Sequence, residues 1–140
     1  MNERVVVDTN VLVAAMRSPG GASRGVLRFC LRGRCQPIVG LSLFAEYEEV
    51  LGRSRLFEDS PLSQKERNEL LDGFLSVSEW ISIFSLWRPN LADEGDNHLV
   101  ELAVAGTATK LITHNVRDFR RSELRFPLLE IETPAQFLQQ

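Results

Sequence analysis

The sequence predicts an α/β fold: a three-layer α/β/α sandwich in which helices cover both faces of a parallel sheet of about five strands. Short apolar or β-branched runs alternate with amphipathic helical patterns along the chain. Polar residues follow several of these runs, as they do at the carboxyl edge of a parallel sheet. The length of 140 residues, 44% of them hydrophobic, fits one domain over residues 1–140.

The first half of the chain contains two predicted strands, each followed by a helix. Residues 5–7 are a valine run that predicts a buried strand, and an apolar helical stretch follows it. The spacing predicts a second helix over about 24–33, capped by Ser23. Residues 36–40 predict the second strand, and Ser42 is the expected cap of the helix after it.

The second half of the chain repeats this alternation with three more strands. Its predicted elements are a loop over 53–62, a helix over 63–74, a strand over 80–84, a buried helix over 99–105, strands over 110–113 and 128–131, and a terminal helix from Pro134. Gly106 is expected to end the buried helix.

Several classes of protein are excluded by the composition and the motifs. No run approaches the roughly 18 apolar residues of a membrane span, and the first residues are no signal peptide, so we expect a soluble cytoplasmic protein. Cys30 and Cys35 form no C-x-x-C motif and are expected to be reduced and structural. Gly20-Gly21 lacks the context of a nucleotide-binding loop.

Arginines are concentrated in two places, although the net charge is −3. Arg24, Arg28 and Arg32 recur at every fourth position and predict an exposed stripe on the second helix, and Arg117 opens another basic run. Guanidinium groups bind phosphate through paired hydrogen bonds, so these four residues are the predicted phosphate contacts. Solvated helix faces paired with acids are the alternative interpretation.

Carboxylates fall where the predicted topology would gather them at one edge of the sheet. Asp8 follows the first strand, Glu46 lies early in the helix after the second, and Asp118 comes after the fourth. Asp93 and Asp96 lie at the start of the buried helix. Clustered like charges are unfavourable without a cation, and ligand sets made only of oxygen select Mg²⁺ or Mn²⁺ over zinc. Such ions promote phosphodiester hydrolysis without a serine or cysteine nucleophile.

Each of these acids also has a purely structural interpretation. Asp8 fits a turn or a cap, and Asp93 with Asp96 fits a helix cap and its third residue. Glu46 has acidic neighbours on its helix, which is typical of a solvated face, and Asp118 fits a cap or an arginine partner.

Other polar residues at the strand ends have two possible roles, orienting ligands or satisfying backbone groups. They are Thr9, Asn10, Thr113 and Asn115. His98 and His114 stand in no supporting motif, so we expect surface or packing residues rather than zinc ligands or acid-base groups.

Four segments together resemble the successive motifs of the PIN-domain family, especially its prokaryotic toxin-like branch. They are residues 5–12 (VVVDTNVL), 46–51 (EYEEVL), 93–97 (DEGDN) and 111–119 (LITHNVRDF). The opening Asp-Thr-Asn after a valine run and the closing Thr-x-Asn-x-x-Asp-Phe are the most specific parts. The resemblance covers nearly the whole chain.

This resemblance implies a metal-dependent ribonuclease site on an α/β/α sandwich that is commonly a homodimer. In toxin-like members a small antitoxin partner inhibits the enzyme. Matched by motif, the metal-binding and catalytic acids are Asp8, Glu46, Asp96 and Asp118, with Asp93 as a fifth metal ligand and with Thr9, Asn10, Thr113 and Asn115 in support. The sequence departs from the family pattern at Asn115, where many relatives carry Asp, and at Glu94-Gly95, where Pro-Asp is frequent.

The leading hypothesis is therefore a Mg²⁺- or Mn²⁺-dependent endoribonuclease, the toxin of a toxin-antitoxin pair, with arginines contacting RNA phosphates. The alternative is a non-catalytic module that binds RNA or protein, and the lower charge at Asn115 favours it. An aspartyl phosphohydrolase is disfavoured because such enzymes usually need a second Asp two positions after the nucleophile, where this chain has Asn10.

Overall fold

The computed structural model describes residues 2–83, 97–120 and 125–139. Their strands are β1 (Arg4–Val7), β2 (Gln36–Val39), β3 (Glu79–Trp80), β4 (Lys110–Ile112) and β5 (Glu130–Glu132). Their helices are α1 (Thr9–Arg17), α2 (Ala22–Leu31), α3 (Leu41–Leu51), α4 (Gln64–Ser76), α5 (Asn97–Ala105) and α6 (Pro134–Leu138), with 3₁₀ turns at Ser54–Phe57 and Val116–Phe119. None of these described helices has the length and apolar character needed to cross a bilayer.

The five strands form one parallel sheet in the order β3-β2-β1-β4-β5. On the central strand β1, Val5, Val6 and Val7 are all 1% exposed or less. Because successive side chains of a strand point to opposite faces, this burial requires cover on both sides of the sheet. The predicted α/β fold with about five parallel strands is confirmed.

The carboxyl end of β1 is the place where the strand order reverses. The chain runs outward from β1 through β2 to β3, and then returns to the other side of β1 as β4. The Asp8 amide donates to the Ile112 carbonyl over 2.9 Å, so the chain leaves β1 and β4 side by side. Open α/β sheets bind ligands at such a switch point.

Two helix starts differ from the sequence prediction. The N-cap of α2 is Gly21 rather than Ser23, and the N-cap of α3 is Gly40 rather than Ser42. The Ser23 hydroxyl lies 2.9 Å from the His114 ring and is therefore engaged in a tertiary contact. The first residue of α3, Leu41, is 78% exposed, so the pattern of buried apolar residues begins only after the helix has started.

The predicted loop over 53–62 and the predicted bounds of two strands also need correction. The loop contains the 3₁₀ turn at Ser54–Phe57, which buries Phe57. The strand predicted over 128–131 is β5, which begins later, at Glu130, where its pairing with Lys110 of β4 starts. The strand predicted over 80–84 is β3, which starts at Glu79, and Phe84 lies outside the described residues.

Both cysteines are buried free thiols, as predicted. Cys30 lies in α2 and Cys35 just before β2, and their sulfur atoms are 3.3 Å apart. Between them Gly33 has a φ of +73°, a left-handed conformation that ends the helix at little steric cost for glycine.

Candidate active site

Asp8 occupies the N-cap position of α1, directly after β1, but its side chain does not cap that helix. Its Oδ2 instead accepts a hydrogen bond of 2.7 Å from the Thr113 hydroxyl, and the residue is only 8% exposed. Burial raises the pKa of Asp8, and the negative charge of Glu46 raises it further, while the Thr113 hydrogen bond opposes the shift. Asp8 is therefore a buried carboxylate that is hydrogen-bonded by Thr113 and makes no capping hydrogen bond to α1.

Glu46 lies on α3, and both of its carboxylate oxygens have side-chain neighbours. The Thr9 hydroxyl donates to Oε1, and Oε2 lies 3.1 Å from Nε2 of His98. The next residue, Tyr47, is fully buried and donates its hydroxyl to the Val7 carbonyl over 2.5 Å. This contact ties the helix that carries Glu46 to the end of the strand that carries Asp8.

The two carboxylates share an open groove of about 420 Å³. Residues of β1's carboxyl end, α1, α3 and the segment after β4 line it: Asp8, Thr9, Asn10, Val13, Ala14, Arg17, Glu46, Val50 and Asn115. The five α1 residues Thr9, Asn10, Val13, Ala14 and Arg17 follow helical spacing, so they form one face of that helix.

Thr113 is the centre of the hydrogen-bond network beside Asp8. It is fully buried, donates to Asp8, and accepts from the Asn10 amide over 3.3 Å and from the Asn115 backbone over 3.0 Å. The Asn10 side-chain oxygen accepts from the His114 backbone over 3.3 Å. The Thr113 side chain thus holds Asp8 and is itself contacted by the Asn10 side chain, whereas Asn115 joins the network through its backbone amide.

The structure describes one of the three remaining predicted acids. Asp118 is exposed on the second 3₁₀ turn and does not line the groove. Asp93 and Asp96 lie outside the described residues. Within residues 2–83, 97–120 and 125–139, no three Asp, Glu, His or Cys side chains form a group that could hold a metal ion.

The donor chemistry of the groove fits a hard divalent cation. Mg²⁺ keeps several waters and is usually bound by one or two carboxylates together with substrate phosphates. Asp8 and Glu46 supply two carboxylates, and Asn10 and Asn115 add amide oxygens along the same groove. A cation there would also offset the burial and the repulsion by Glu46 that raise the pKa of Asp8.

The predicted arginine stripe is only partly present. Arg24 is half-buried and donates to the Ala15 carbonyl over 2.8 Å, so its place on an exposed stripe is wrong. Arg28 donates to the Pro19 carbonyl over 2.8 Å, while Arg32 and Arg117 are exposed. None of these four arginines lines the groove.

Sequence reasoning missed two residues near the carboxylates. Among the described residues Arg17 is the cation that lines the groove, and its helical spacing from Asn10 was the signal that could have found it. His98 was expected to be a surface or packing residue, yet it contacts Glu46. No local pattern reveals that contact, because α3 and α5 are far apart along the chain.

Comparison with known proteins agrees with this architecture. The chain is similar to a chain in the crystal structure of VapBC2 from Rickettsia felis bound to a DNA fragment from their promoter, with a TM-score of 0.60 and 18% identity over 93% of this chain and 98% of that one. At this identity the likeness concerns the fold. None of the curated proteins compared with this chain matches its sequence. A family model described as the PIN domain matches residues 4–117, and the chain belongs to that family.

Proposed function

We propose that this chain is a metal-dependent endoribonuclease that hydrolyses RNA phosphodiesters and acts as the toxin of a toxin-antitoxin pair. Membership of the PIN domain family supports a nuclease activity. The observation that carries the proposal is the shared groove, in which Asp8 and Glu46 face one space at the switch point of the sheet. Each carboxylate is held by a threonine hydroxyl, from Thr113 and Thr9.

In this proposal Asp8 and Glu46 bind Mg²⁺ or Mn²⁺, and Asp96, Asp118 and Asp93 complete the set of acids. When bound, such an ion polarises the phosphodiester, promotes attack by water and stabilises the departing oxygen.

The chain's other residues position these acids and the substrate. The hydroxyls of Thr9 and Thr113 orient the two carboxylates, as outer partners of metal ligands do. Arg17 lies in the groove where it can contact a phosphate, and exposed Arg32 and Arg117 extend the basic surface. Arg24 and Arg28, also predicted to contact phosphate, already donate to backbone carbonyls.

The decisive experiment is cleavage of a panel of single-stranded and structured RNAs by purified protein with Mn²⁺, Mg²⁺ or EDTA. Asp8→Asn and Glu46→Gln test the two groove acids. Glu48→Gln is the matched control, because Glu48 is an exposed acid on the same helix that does not line this groove. We expect cleavage that depends on metal, falls by at least about 100-fold in both groove variants and is unchanged in the control.

Circular dichroism and thermal melting should show that both groove variants remain folded. Cleavage that persists in EDTA, or at the wild-type rate in folded Asp8→Asn, would contradict the proposal. The same assay applied to Asp93→Asn, Asp96→Asn and Asp118→Asn ranks the remaining acids.

A second candidate function is a non-catalytic module that binds RNA or protein. Asn115 favours it, because an uncharged amide lines the groove at a position where an additional carboxylate would strengthen metal binding. RNA binding that is indifferent to EDTA, without cleavage in any metal, would support this candidate. If the nuclease proposal is correct, Asn115→Asp should bind Mn²⁺ more tightly than the wild-type protein.

The partners belong to the same proposal. We expect a homodimer, a small antitoxin protein encoded beside the gene, and action on RNA in the cytoplasm. Sedimentation velocity tests the dimer, and coexpression with the neighbouring gene tests the antitoxin. A neighbouring protein that binds the chain and suppresses its RNA cleavage would support the toxin assignment, whereas cleavage unaffected by that protein would argue against it.

A further inference from the structure

We propose that His98 is a positioning residue that holds the Glu46 carboxylate in its orientation toward the groove by donating an Nε2–H hydrogen bond to Oε2. This inference rests on the proposed function for its catalytic consequence. The contact itself can be tested without any metal or substrate.

Two side chains hold Glu46 from two different helices. Thr9, at the start of α1, donates to Oε1, and His98, near the start of α5, lies 3.1 Å from Oε2. The Glu46 and His98 side chains are 35% and 25% exposed. A glutamate that is one-third exposed has several rotamers open to it, and partners on both oxygens restrict that choice.

The surroundings of the ring select one tautomer. Nδ1 of His98 is buried and finds no hydrogen-bond partner among the described residues. A proton on Nδ1 would have no acceptor in the part of the chain that the structure describes, and it would leave the Nε2 lone pair facing a carboxylate. With the proton on Nε2, the ring donates to Glu46, and only an acceptor lone pair remains unused.

The same hydrogen bond bears on the second carboxylate of the groove. The negative charges of Asp8 and Glu46 repel each other. A ring that holds Glu46 from the side of α5 fixes the separation of the two negative groups across the groove. Without this hydrogen bond, Thr9 would have to hold Glu46 against the repulsion without help from His98, and the cation site would be less well preformed.

The first test measures Mn²⁺ binding by isothermal titration calorimetry. We expect His98→Leu to weaken Mn²⁺ binding by about 10-fold or more, as loss of an outer partner of a metal ligand typically does. His98→Gln retains an N–H donor of similar reach and should stay within about 3-fold of the wild type. His98→Asn, whose amide is shorter, should resemble His98→Leu and serves in its place if the leucine variant fails to fold.

A double-mutant cycle distinguishes positioning from a general structural role. If His98 acts through Glu46, adding His98→Leu to Glu46→Gln should change Mn²⁺ affinity by less than about 2-fold. Independent, additive losses would overturn the proposal. His114→Gln is the control for removing a histidine, because the His114 ring contacts Ser23 rather than a carboxylate.

A metal-free spectrum tests the contact directly. The chain has two histidines, so long-range ¹⁵N–¹H spectra of the untagged wild-type and His114→Gln proteins assign both rings. We expect the Nε2–H tautomer for His98 in EDTA, and Glu46→Gln should shift its ring nitrogens. An Nδ1–H tautomer, or ring signals unchanged in Glu46→Gln, would overturn the proposal.

The two proposals fail in different ways. Wild-type protein that binds no Mn²⁺ and cleaves no RNA contradicts the nuclease, while the spectrum still decides whether His98 holds Glu46. Wild-type protein that binds Mn²⁺, with His98→Leu and His98→Asn equal to it in affinity, contradicts the positioning role alone.

Discussion

Asp8, a proposed metal ligand, shows at the level of one residue how a buried carboxylate lowers the stability of its own fold. Its carboxylate is buried at the end of the central strand, and the Thr113 hydroxyl only partly replaces the water that it has lost. Burial, and then the nearby charge of Glu46, raise the pKa of Asp8 above its ordinary value. In the metal-free protein at neutral pH, the ionised form is therefore a source of instability.

Asp8→Asn should stabilise the metal-free protein in a pH-dependent way. Because the folded pKa of Asp8 exceeds the unfolded value of about 3.9, folding favours the protonated form. The wild-type protein should match the variant below about pH 4 and become less stable than the variant as pH rises through the folded pKa of Asp8. Thermal melts of both proteins in EDTA, from acid to neutral pH, measure this difference.

Addition of Mn²⁺ provides the control for that experiment. If Asp8 is a ligand, Mn²⁺ should raise the melting temperature of the wild-type protein and have little effect on Asp8→Asn, because a ligand stabilises only the state that binds it. If Asp8→Asn is less stable than the wild type at neutral pH in EDTA, the expected stabilisation of the metal-free protein is contradicted.

Tyr47 connects the strand that ends at Val7 with the helix that carries Glu46. Tyr47→Phe removes the buried hydrogen bond to the Val7 carbonyl and should lower the free energy of unfolding by about 1–2 kcal/mol. Urea denaturation measures the loss. An unchanged free energy would show that this hydroxyl does not anchor α3.

At the scale of elements, the sheet buries a charged side chain in addition to its apolar ones. Lys110, the first residue of β4, is 6% exposed, and its ammonium lies 3.0 Å from Glu132 and 3.4 Å from Glu130 on the adjacent β5. Burial lowers the pKa of Lys110, but the two carboxylates more than compensate and leave it raised. The ion pairs thus link the last strand of the sheet to β4, the strand that leads to Thr113.

Lys110→Met should lower the free energy of unfolding by about 2 kcal/mol, because it leaves the partly buried Glu132 without its cation. The double variant Lys110→Met/Glu132→Leu should recover part of this loss, since it removes the unpaired charge as well. Chemical denaturation of the wild type and the variants measures the effect. Equal stability of the wild type and the single variant would show that β5 does not depend on this pair.

At the scale of the whole molecule, one core connects the described helices to both faces of the sheet. Helix α5 contacts β1, β2 and β4, while α2 packs against α1, α4 and α6. The groove acids come from segments that join this core directly, namely the end of β1 and α3. The two groove acids, which are distant from each other in the sequence, are therefore both attached to the same hydrophobic core.

We expect residues 1–140 to unfold as one cooperative unit. Differential scanning calorimetry should give a single transition with equal calorimetric and van't Hoff enthalpies. For a chain of this length, the enthalpy near 60 °C should be about 100 kcal/mol. Two resolved transitions in the monomeric protein would contradict the single-domain prediction.

The sequence by itself determined the fold class and the placement of Asp8. The alternation of strand and helix patterns depends on local periodicity, which each segment carries whatever its neighbours are. A valine run followed by Asp-Thr-Asn therefore predicts a buried strand with polar residues at its carboxyl end. Exact helix starts were less predictable, because Ser23 had two possible uses, capping α2 and contacting His114.

Only the tertiary structure decided which side chains share the groove. The sequence placed Arg24 on an exposed stripe, but its guanidinium donates to Ala15, while Arg17 lines the groove. His98 meets Glu46 across 52 positions of sequence. Such contacts depend on how helices are rotated and packed against one sheet, and that rotation follows from the packing of the whole core rather than from any local pattern.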